Sequence, residues 1–359
     1  MNVFGKNFRV SVFGESHGVG IGVVLDGVPA GLELSADDFA ADLARRKSGA
    51  KGTTPRKEDD IPEILSGVMA GHTTGAPVAV LFRNGNTRPS DYSLFKEMPR
   101  PGHADFVAGV KWHDFNDPRG GGHFSGRVTL CMVAAGVVAK KMLHSGYALE
   151  RLAASGLPLL QDDSRQLFSV EASVVEVGGV PLSEVEIPGE RNPSVLWSKQ
   201  LDAAIADGDS LGGVVECKVE NMPVGLGEPF FDSVESLVSH IVFSIPGVRG
   251  IEFGDGFRAA RMKGSEHNDP VVSPAGSTSG NGAGGINGGI TNGNPIVFRV
   301  AFKPTSSIRM TQHTWNFTAG RISSLDIPGR HDVCFAIRTP VIVESAAAIV
   351  LADLLLSLR

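Results

Sequence analysis

Cysteine is scarce in this chain, and the few residues present are far apart. The three cysteines, Cys131, Cys217 and Cys334, form no Cys-x-x-Cys pair in 359 residues. This number and spacing exclude the disulfide framework of a small secreted protein and the paired thiolates of a structural zinc site. The sequence therefore predicts a protein of the reducing cytoplasm.

Long apolar runs and an excess of positive charge are also missing. The N-terminal segment, MNVFGKNFRV, lacks the apolar core of a signal peptide. No run approaches the ~20 apolar residues that cross a bilayer. The formal net charge is -6, whereas nucleic-acid-binding proteins usually present a basic surface. We therefore expect a soluble protein whose partners include neither a membrane nor a nucleic acid.

Recognisable metal-ligand motifs are absent as well. His103, His113 and His123 recur every ten residues, with Asp105 and Asp114 nearby, but this spacing matches no compact ligand set. Neither a His-Glu-x-x-His pair nor an EF-hand loop occurs. The sequence therefore predicts no metal site.

The chain does contain a stretch rich in anion-binding chemistry, RPGHADFVAGVKWHDFNDPRGGGHFSGR, from Arg100 to Arg127. Arg100 and His103 stand at a Pro-Gly turn that leaves both side chains free to face one target. Arg119 precedes glycines 120–122, whose unhindered amides can curl around an oxyanion. Each residue alone also fits a solvated basic loop, but the whole set predicts a site for a small anion.

An apolar helix is predicted directly after this stretch. Residues 128–143, VTLCMVAAGVVAKKML, are apolar on nearly every face, and Ser125 is a suitable N-cap. Arg127 then lies in the first turn, where the helix dipole disfavours a cation. An anionic ligand at the helix start would reverse that argument and explain the arginine.

A second motif, Gly14-Glu15-Ser16-His17-Gly18, follows a predicted strand at residues 9–13 and matches the GxSxG elbow of serine hydrolases. An elbow must enter a helix, yet the next residues, VGIGVVLDGVP, favour a second strand. A serine hydrolase is therefore the weaker alternative. His17, held between glycines in a strand connection, is expected to be exposed enough to meet a ligand.

Two further basic segments adjoin predicted secondary structure. A helix begins at Ser35 and ends in Arg45, Arg46 and Lys47, where cations also complement the helix dipole. A strand at residues 296–302 runs into KPTSS, a lysine with three hydroxyls that could grip a phosphate, although no Walker pattern is present.

The C-terminal segment is predicted to contain one strand and one helix. Residues 341–343 are β-branched and favour a strand, and residues 344–358 favour a helix.

Five separated motifs stand in a characteristic order: GESHG from Gly14, RPGHAD from Arg100, GGGHFSGR from Gly120, KPTSS from Lys303 and GRHDVC from Gly329. Through them the chain resembles the chorismate synthase family nearly end to end, from Gly14 to Leu356. That family converts 5-enolpyruvylshikimate 3-phosphate to chorismate by 1,4-anti elimination of phosphate, the last step of the shikimate pathway to the aromatic amino acids. It requires reduced FMN although the reaction involves no net oxidation.

The resemblance implies a fold and an assembly. We expect one α+β domain over residues 1–359, built as a β-α-β sandwich in which helices are packed between antiparallel sheets. We also expect a cytoplasmic homotetramer. The chain length leaves no obvious room for an appended reductase domain. We therefore expect an external flavin reductase, rather than reduction of the flavin by this chain with a nicotinamide cofactor such as NADP(H).

The resemblance also implies four catalytic residues. His103 would protonate the departing phosphate, and His17 would protonate or steady the reduced flavin near N1. Asp332, together with Ser16, would keep flavin N5 basic enough to accept the hydrogen that the ring loses. That hydrogen is not α to a carbonyl, so an ordinary side-chain base is insufficient. The reduced flavin is implied to lend an electron and take the hydrogen.

The substrate carries two carboxylates and a phosphate, and the resemblance implies that it is clamped by Arg46, Lys47, Arg100, Arg127 and Arg330, with Arg45 and Arg119 close by. The implied flavin-binding residues are Ser125, Arg127, Gly284, Gly285, Lys303, Thr305, Ser306, Ser307 and Arg330. The chain departs from the usual family residues at Lys47, His123, Phe124, Gly126, Gly282 and Val333. A non-catalytic flavin- or phosphate-binding oligomer with structural histidines is the second alternative.

Overall fold

The computed structural model of the chain describes residues 2–55, 58–85, 94–157, 167–329 and 331–358. The strands in these residues are, in chain order, β1 Val3–Phe4, β2 Arg9–Gly14, β3 Gly20–Asp26, β4 Glu63–Ser66, β5 Val68–Met69, β6 His72–Thr73, β7 Val78–Arg83, β8 Ser169–Val177, β9 Val180–Pro181, β10 Gly213–Glu220, β11 Val248–Phe253, β12 Ile286–Asn287, β13 Ile290–Thr291, β14 Ile296–Phe302, β15 Gln312–Asn316 and β16 Arg321–Leu325. The α-helices are α1 Ala40–Arg46, α2 Asp105–Trp112, α3 Thr129–Leu143, α4 Gly146–Ser155, α5 Pro193–Leu196, α6 Ser198–Asp207, α7 Val234–Val242, α8 Gly264–His267 and α9 Pro340–Ser357.

The first large sheet has the strand order β1-β2-β3-β7-β4, and every pairing is antiparallel. Its inner face buries alternate residues of β3, among them Ile21, Val23 and Leu25, as expected for a strand with one face on a core. The hairpin between β2 and β3 pairs Gly14 with Ile21, so residues 15–19 form the connection at the end of the sheet. This confirms the two strands that the sequence predicted around the GESHG motif.

The second large sheet has the order β11-β14-β10-β8-β9 and is also antiparallel. In β14 the side chains of Ile296, Phe298, Val300 and Phe302 are buried and alternate with less buried ones, which confirms the predicted strand. The strand ends immediately before the KPTSS segment. That segment is therefore placed at one edge of the sandwich.

Two apolar helices fill the space between the sheets. Helix α3 packs against β2 and β3, α9 packs against β8 and β10, and the two helices pack against each other. Almost every residue of both helices is buried, because each has a sheet on one side and the other helix on the opposite side. The prediction of an α+β sandwich with helices between antiparallel sheets is confirmed. The main core cluster includes side chains from Phe8 to Leu355.

The close approach of the two central helices depends on one glycine. A Cβ built on Gly136 of α3 would overlap the Cβ and Oγ atoms of Ser345 on α9. The helix backbones can therefore approach each other at this point only because residue 136 has no side chain.

The predicted strand at residues 341–343 is wrong. Pro340 is the first residue of α9, and the helix continues without interruption to Ser357. Proline is favourable at a first helical position because its missing amide hydrogen is not needed there. Burial between two layers outweighs the modest β-preference of Val341, Ile342 and Val343. The observed helix therefore begins four residues earlier than the helix predicted at residues 344–358.

The expectation that no run approaches the length that crosses a bilayer is wrong for α9, which is long and apolar enough by itself, but 83% of this helix is buried inside the fold. It also contains two buried carboxylates with protein partners. Glu344 accepts hydrogen bonds from Arg45 and Lys140, and Asp353 accepts them from the backbone amides of residues 6–8. These features are those of a core helix.

Candidate active site

A cavity of about 570 Å³ opens where α1, the glycine turn at residues 120–122, the KPTSS segment and the segment before α9 meet. This volume lies within the usual range of small-molecule sites. Its walls carry six fixed cations and four carboxylates: Arg46, Lys47, Arg100, Arg127, Lys303 and Arg338, with Glu58, Asp59, Asp60 and Asp332. The excess of cations in a chain of net negative charge favours an anionic ligand.

Arg46 and Arg127 are both buried in the cavity wall, and Asp60 lies between them. Arg127 Nη1 is 2.8 Å from Asp60 Oδ1, and Arg46 Nη1 is 3.7 Å from Asp60 Oδ2. Burial, reinforced by nearby Arg338, lowers the pKa of Arg46 to about 9. One carboxylate thus faces two buried guanidinium groups, and an anionic ligand would supply the further negative charge that they favour.

Arg46 also connects α1 to the start of α3. Its Nη2 donates to the carbonyl oxygens of Gly126 and Arg127 at 3.0 and 3.1 Å, and its Nε donates to Thr129 Oγ1 at 3.1 Å. Ser125 caps this helix start, because its Oγ accepts from the Arg127 amide at 3.3 Å. The predicted cap is therefore confirmed, and Arg127 lies in the first turn as expected.

Asn84 joins Arg127 to the connection that carries Ser16 and His17. Its Oδ1 accepts from Arg127 Nε at 2.6 Å. Its Nδ2 donates to the carbonyl oxygens of Glu15 and Gly18, both at 2.9 Å. Arg127 in the cavity wall and the connection that carries His17 are thus held by the same side chain.

The glycine turn at residues 120–122 separates the two histidines of interest. All three glycines have positive φ values, a conformation that other L-residues rarely adopt. A Cβ at Gly120 would overlap the His17 ring, and a Cβ at Gly121 would lie 3.3 Å from His103 Nε2. The two imidazoles therefore pack against consecutive glycines of one turn.

His17 is only 6% exposed, so the expectation of an exposed histidine is wrong. The glycine turn covers it, and Gly120, rather than His17 itself, lines the cavity. Ser16 is fully buried beside it. The Ser16 hydroxyl is 3.0 Å from His17 Nδ1 and lies 3.3 and 3.1 Å from the carbonyl oxygens of Arg119 and Gly120.

The same geometry argues against a serine hydrolase. A nucleophile elbow presents an exposed serine at the start of a helix. Here Ser16 is 0% exposed, and the chain continues into β3. The GxSxG match is therefore a hairpin connection.

His103 lines the cavity and is held by its neighbours in the RPGHAD motif. Its Nδ1 is 2.7 Å from Asp105 Oδ1, and Arg100 binds the same carboxylate through Nε and Nη2, both at 2.8 Å. Burial alone would raise the pKa of Asp105, but hydrogen bonds from Arg100 and His103 lower it below its usual value. Asp105 is therefore a carboxylate at neutral pH.

The KPTSS segment lines the cavity beside the Arg100 turn. Lys303 Nζ donates to Gly102 O at 2.7 Å and to Ser306 Oγ at 2.5 Å, and Ser307 Oγ accepts from Arg100 Nη1 at 3.3 Å. Burial, with nearby Arg249, lowers the pKa of Lys303. The segment thus presents a lysine and hydroxyls that suit a phosphate group.

Two buried polar atoms of this cavity are unsatisfied among the described residues. Thr305 Oγ1 and Arg338 Nε have no hydrogen-bond partner there. Buried polar atoms are rarely left in this state, and a bound ligand is one way to satisfy them. Both atoms belong to residues that line the cavity, as Lys303 does, and each can donate a hydrogen bond to an anionic ligand.

Asp332 also lines the cavity. Its Oδ1 accepts from the Thr54 amide at 2.9 Å, and its Oδ2 accepts from Arg338 Nη2 at 2.8 Å. Burial lowers the pKa of the adjacent His331, although its contact with the Pro328 carbonyl oxygen opposes that shift. The structure thus brings Asp332 and His103 to one cavity, although the two residues are far apart in sequence.

Several predicted site residues lie elsewhere. Gly284 and Gly285 pack against the backbone of Gly254 and Pro295 and do not line this cavity. Arg45 binds Glu344, and Arg119 binds Asp117, so neither faces the cavity. Arg330 lies outside the described residues. The remaining implied substrate and cofactor residues do line the cavity: Arg46, Lys47, Arg100, Ser125, Arg127, Lys303, Thr305, Ser306 and Ser307.

Sequence reasoning missed four residues that shape the site, namely Asp60, Asn84, Asp105 and Arg338. Asp105 carried a usable signal, because it follows His103 by two residues at a helix start. Asp60 and Asn84 carried none, since their partners come from distant parts of the chain, and Arg338 stands outside the five motifs although its partner Asp332 is only six residues away.

Comparison with known proteins agrees with this geometry. A sequence model described as chorismate synthase matches residues 8–356. The chorismate synthase of Chitinophaga pinensis is 55% identical over 356 residues, which covers 99% of this chain and 97% of that protein. That of Korarchaeum cryptofilum is 43% identical over 361 residues, with 98% and 96% covered. A crystal structure of a chorismate synthase shares the fold with a TM-score of 0.69 and 28% identity, covering 98% of this chain and 93% of that one. The chain belongs to the chorismate synthase family.

Proposed function

We propose that this chain forms chorismate from 5-enolpyruvylshikimate 3-phosphate by 1,4-anti elimination of phosphate, with reduced FMN as cofactor. Family membership makes it a lyase of the shikimate pathway. The observation that supports the finer proposal is the convergence of six cations with His103 and Asp332 on one cavity.

The substrate carries at least three negative charges, on two carboxylates and a phosphate. Its binding therefore requires cations that are held in place. Arg46 and Arg127 are 3% and 8% exposed, which means that water screens them little. Arginine forks can bind carboxylate and phosphate groups in a bidentate manner. We assign these two residues, with Lys47 and Arg330, to the substrate anions.

The lysine and hydroxyls of the KPTSS segment would hold the FMN phosphate, and Thr305 Oγ1 is the buried atom that this contact would satisfy. Ser125 would lie near the flavin ring. When bound, reduced FMN supplies a transient electron and accepts the hydrogen that the substrate loses. The roles of Gly284 and Gly285 as flavin contacts stay predictions.

The chain's own residues handle the protons. His103 would donate its Nε2 proton to the phosphate oxygen that becomes the leaving group. Asp332 and Ser16 would keep flavin N5 basic enough to accept the hydrogen. His17, behind the glycine turn, would stabilise the negative charge of the reduced flavin near N1. Each such contribution is typically worth about 10²–10⁴-fold in rate.

Three further parts of the proposal concern the oligomeric state, the cellular compartment and the source of the reduced flavin. We propose a homotetramer in the cytoplasm, and a separate enzyme that reduces the flavin. Light scattering would measure the assembly. Turnover with oxidised FMN and a nicotinamide cofactor, with and without an added flavin reductase, would test the source of the reduced flavin.

The decisive experiment is an anaerobic assay of phosphate release and chorismate formation with substrate and reduced FMN. We expect turnover by the wild-type chain and a loss of at least about tenfold in His103→Ala and Asp332→Asn, since each removes a proton-handling group. Both variants should still fold and bind FMN. FMN binding without any turnover by the wild type would instead favour a non-catalytic flavin-binding oligomer, and near-wild-type rates in both variants would refute the assigned roles.

A further inference from the structure

The Asp105 carboxylate makes the closest polar contact of the His103 ring. Asp105 is the first residue of α2, and its side chain is 8% exposed, while that of His103 is 20% exposed. Asp105 Oδ1 lies 2.7 Å from His103 Nδ1. The other ring nitrogen, Nε2, faces Gly121 of the glycine turn. The carboxylate and the glycine turn thus contact opposite edges of one imidazole.

The position of the ring proton follows from the contacts. Arg100 Nη2 also lies within reach of His103 Nδ1, at 3.1 Å. One nitrogen cannot donate to Asp105 and accept from Arg100 at the same time. Without a hydrogen on Nδ1, its lone pair would face a lone pair of Asp105 Oδ1 at only 2.7 Å, whereas Arg100 Nη2 has Asp105 Oδ1 as an acceptor at 2.8 Å. The Nδ1 atom therefore carries hydrogen, and Nε2 is left to exchange a proton with a ligand.

Arg100 holds the Asp105 carboxylate in place, and its guanidinium is occupied by protein partners. Its Nε and its backbone amide donate to Asp105 Oδ2 at 2.8 and 3.0 Å, and its Nη1 donates to Ser307 Oγ. Its guanidinium also lies over the Phe95 ring, 4.4 Å from the centroid. Such a fork leaves the carboxylate little freedom to rotate.

Basic groups also lie near the ring. Lys303 binds the carbonyl oxygen of Gly102, directly before His103, and His331 lines the same cavity. Asp332 lines the same cavity, but its two oxygens accept from Thr54 and Arg338. Asp105 therefore supplies the negative charge in contact with the imidazole.

We propose that Asp105 is a positioning residue for the reaction: clamped by Arg100, it keeps hydrogen on His103 Nδ1 in both charge states of the ring, so that the imidazolium gives the departing phosphate its Nε2 proton and becomes the neutral Nδ1–H form. This inference rests on the proposed function, in which His103 is the acid. It also reassigns Arg100 from a substrate clamp to the support of the Asp105–His103 pair.

The test is the nearly isosteric substitution Asp105→Asn. An asparagine amide can donate to Nδ1, and this would move the ring proton of the neutral imidazole to Nε2. We expect kcat to fall about 10²-fold, while KM and FMN affinity change less than about threefold, because the substrate contacts stay in place. Asp105→Glu, which restores a carboxylate, should recover part of kcat.

A second measurement needs no turnover. The ¹⁵N shifts of the His103 ring, assigned with His103→Gln, should show Nδ1–H in the neutral wild-type ring and Nε2–H in Asp105→Asn. This result stands even if the elimination assay fails, so the two proposals can fail separately. A neutral wild-type ring protonated at Nε2 would overturn the positioning role.

Glu63→Gln is the matched control, because Glu63 also binds an arginine fork, that of Arg83, at 3.1 and 3.3 Å on the exposed face of the first sheet. It should leave both kcat and the His103 spectrum unchanged. A wild-type kcat in Asp105→Asn would refute the proposal. So would a variant that is only less stable and has only a raised KM, with kcat unchanged.

Discussion

Asn84 illustrates how one uncharged side chain can organise a site made of charges. It contacts Arg127 through its oxygen and the connection that carries His17 through its nitrogen, so it fixes the distance between an arginine of the cavity wall and that connection. The position of Asn84 at the end of β7 places its side chain between the two.

We predict that Asn84→Ala lowers kcat/KM by about 10- to 100-fold. Loss of a hydrogen bond to a charged group costs about 1.5–3 kcal/mol, and about 1.4 kcal/mol corresponds to tenfold. Steady-state kinetics of the anaerobic reaction would measure the loss. Asn7→Ala, which removes an exposed side-chain hydrogen bond to Ser357, should keep wild-type kinetics. Equal activity of the two variants would contradict the role of Asn84.

At the scale of elements, the contact of α3 with α9 sets the thickness of the sandwich. Both helices are buried on nearly all sides, so neither can shift without opening the interface with its sheet. The glycine at position 136 is placed where α9 is closest. The cavity depends on this packing, because Arg127 lies two residues before the start of α3 and Arg338 two residues before the start of α9.

Gly136→Ala should therefore destabilise the protein by about 1–3 kcal/mol, the usual cost of overpacking a core. Gly146→Ala is the control, since a Cβ at Gly146, the first residue of α4, meets no atom within 4 Å. It should be neutral or stabilising by up to about 1 kcal/mol, because alanine is the better helix former. Urea unfolding of both variants measures the difference, and comparable stabilities would show that α3 and α9 can separate at no cost.

At the scale of the whole molecule, the two ends of the chain are joined by one carboxylate. Asp353 in α9 is 4% exposed and accepts hydrogen bonds from the backbone amides of Lys6, Asn7 and Phe8. This contact attaches the start of the first sheet to a helix that packs on the second. The expectation of a single domain over residues 1–359 agrees with a main core that spans both sheets, and it stays a prediction.

We expect Asp353→Asn to lower the free energy of unfolding by about 1–3 kcal/mol, because an amide offers these buried donors only one acceptor oxygen. Asp202→Asn, which weakens an exposed pair with Lys51, should change it by less than about 1 kcal/mol. Chemical denaturation with a single spectroscopic probe would compare them. A similar loss in both variants would mean that the two chain ends are held together by other contacts.

The sequence by itself determined which chemical groups this protein uses. Local patterns were sufficient for β2, β3, α3 and β14, because alternation, apolar periodicity and caps act over a few residues. The motifs RPGHAD, GGGHFSGR and KPTSS indicated the anion site for the same reason: their glycines, cations and hydroxyls are adjacent in the chain.

Only the tertiary structure decided which partner each group has. The β-branched start of α9 became helix because two layers bury it, and His17 became buried because a turn more than one hundred residues later covers it. Asp60 and Asn84 are held by contacts between distant segments, and such contacts depend on packing that no local pattern encodes. The charges could be read from the sequence, but the hydrogen bonds that orient them depend on how sheets and helices meet.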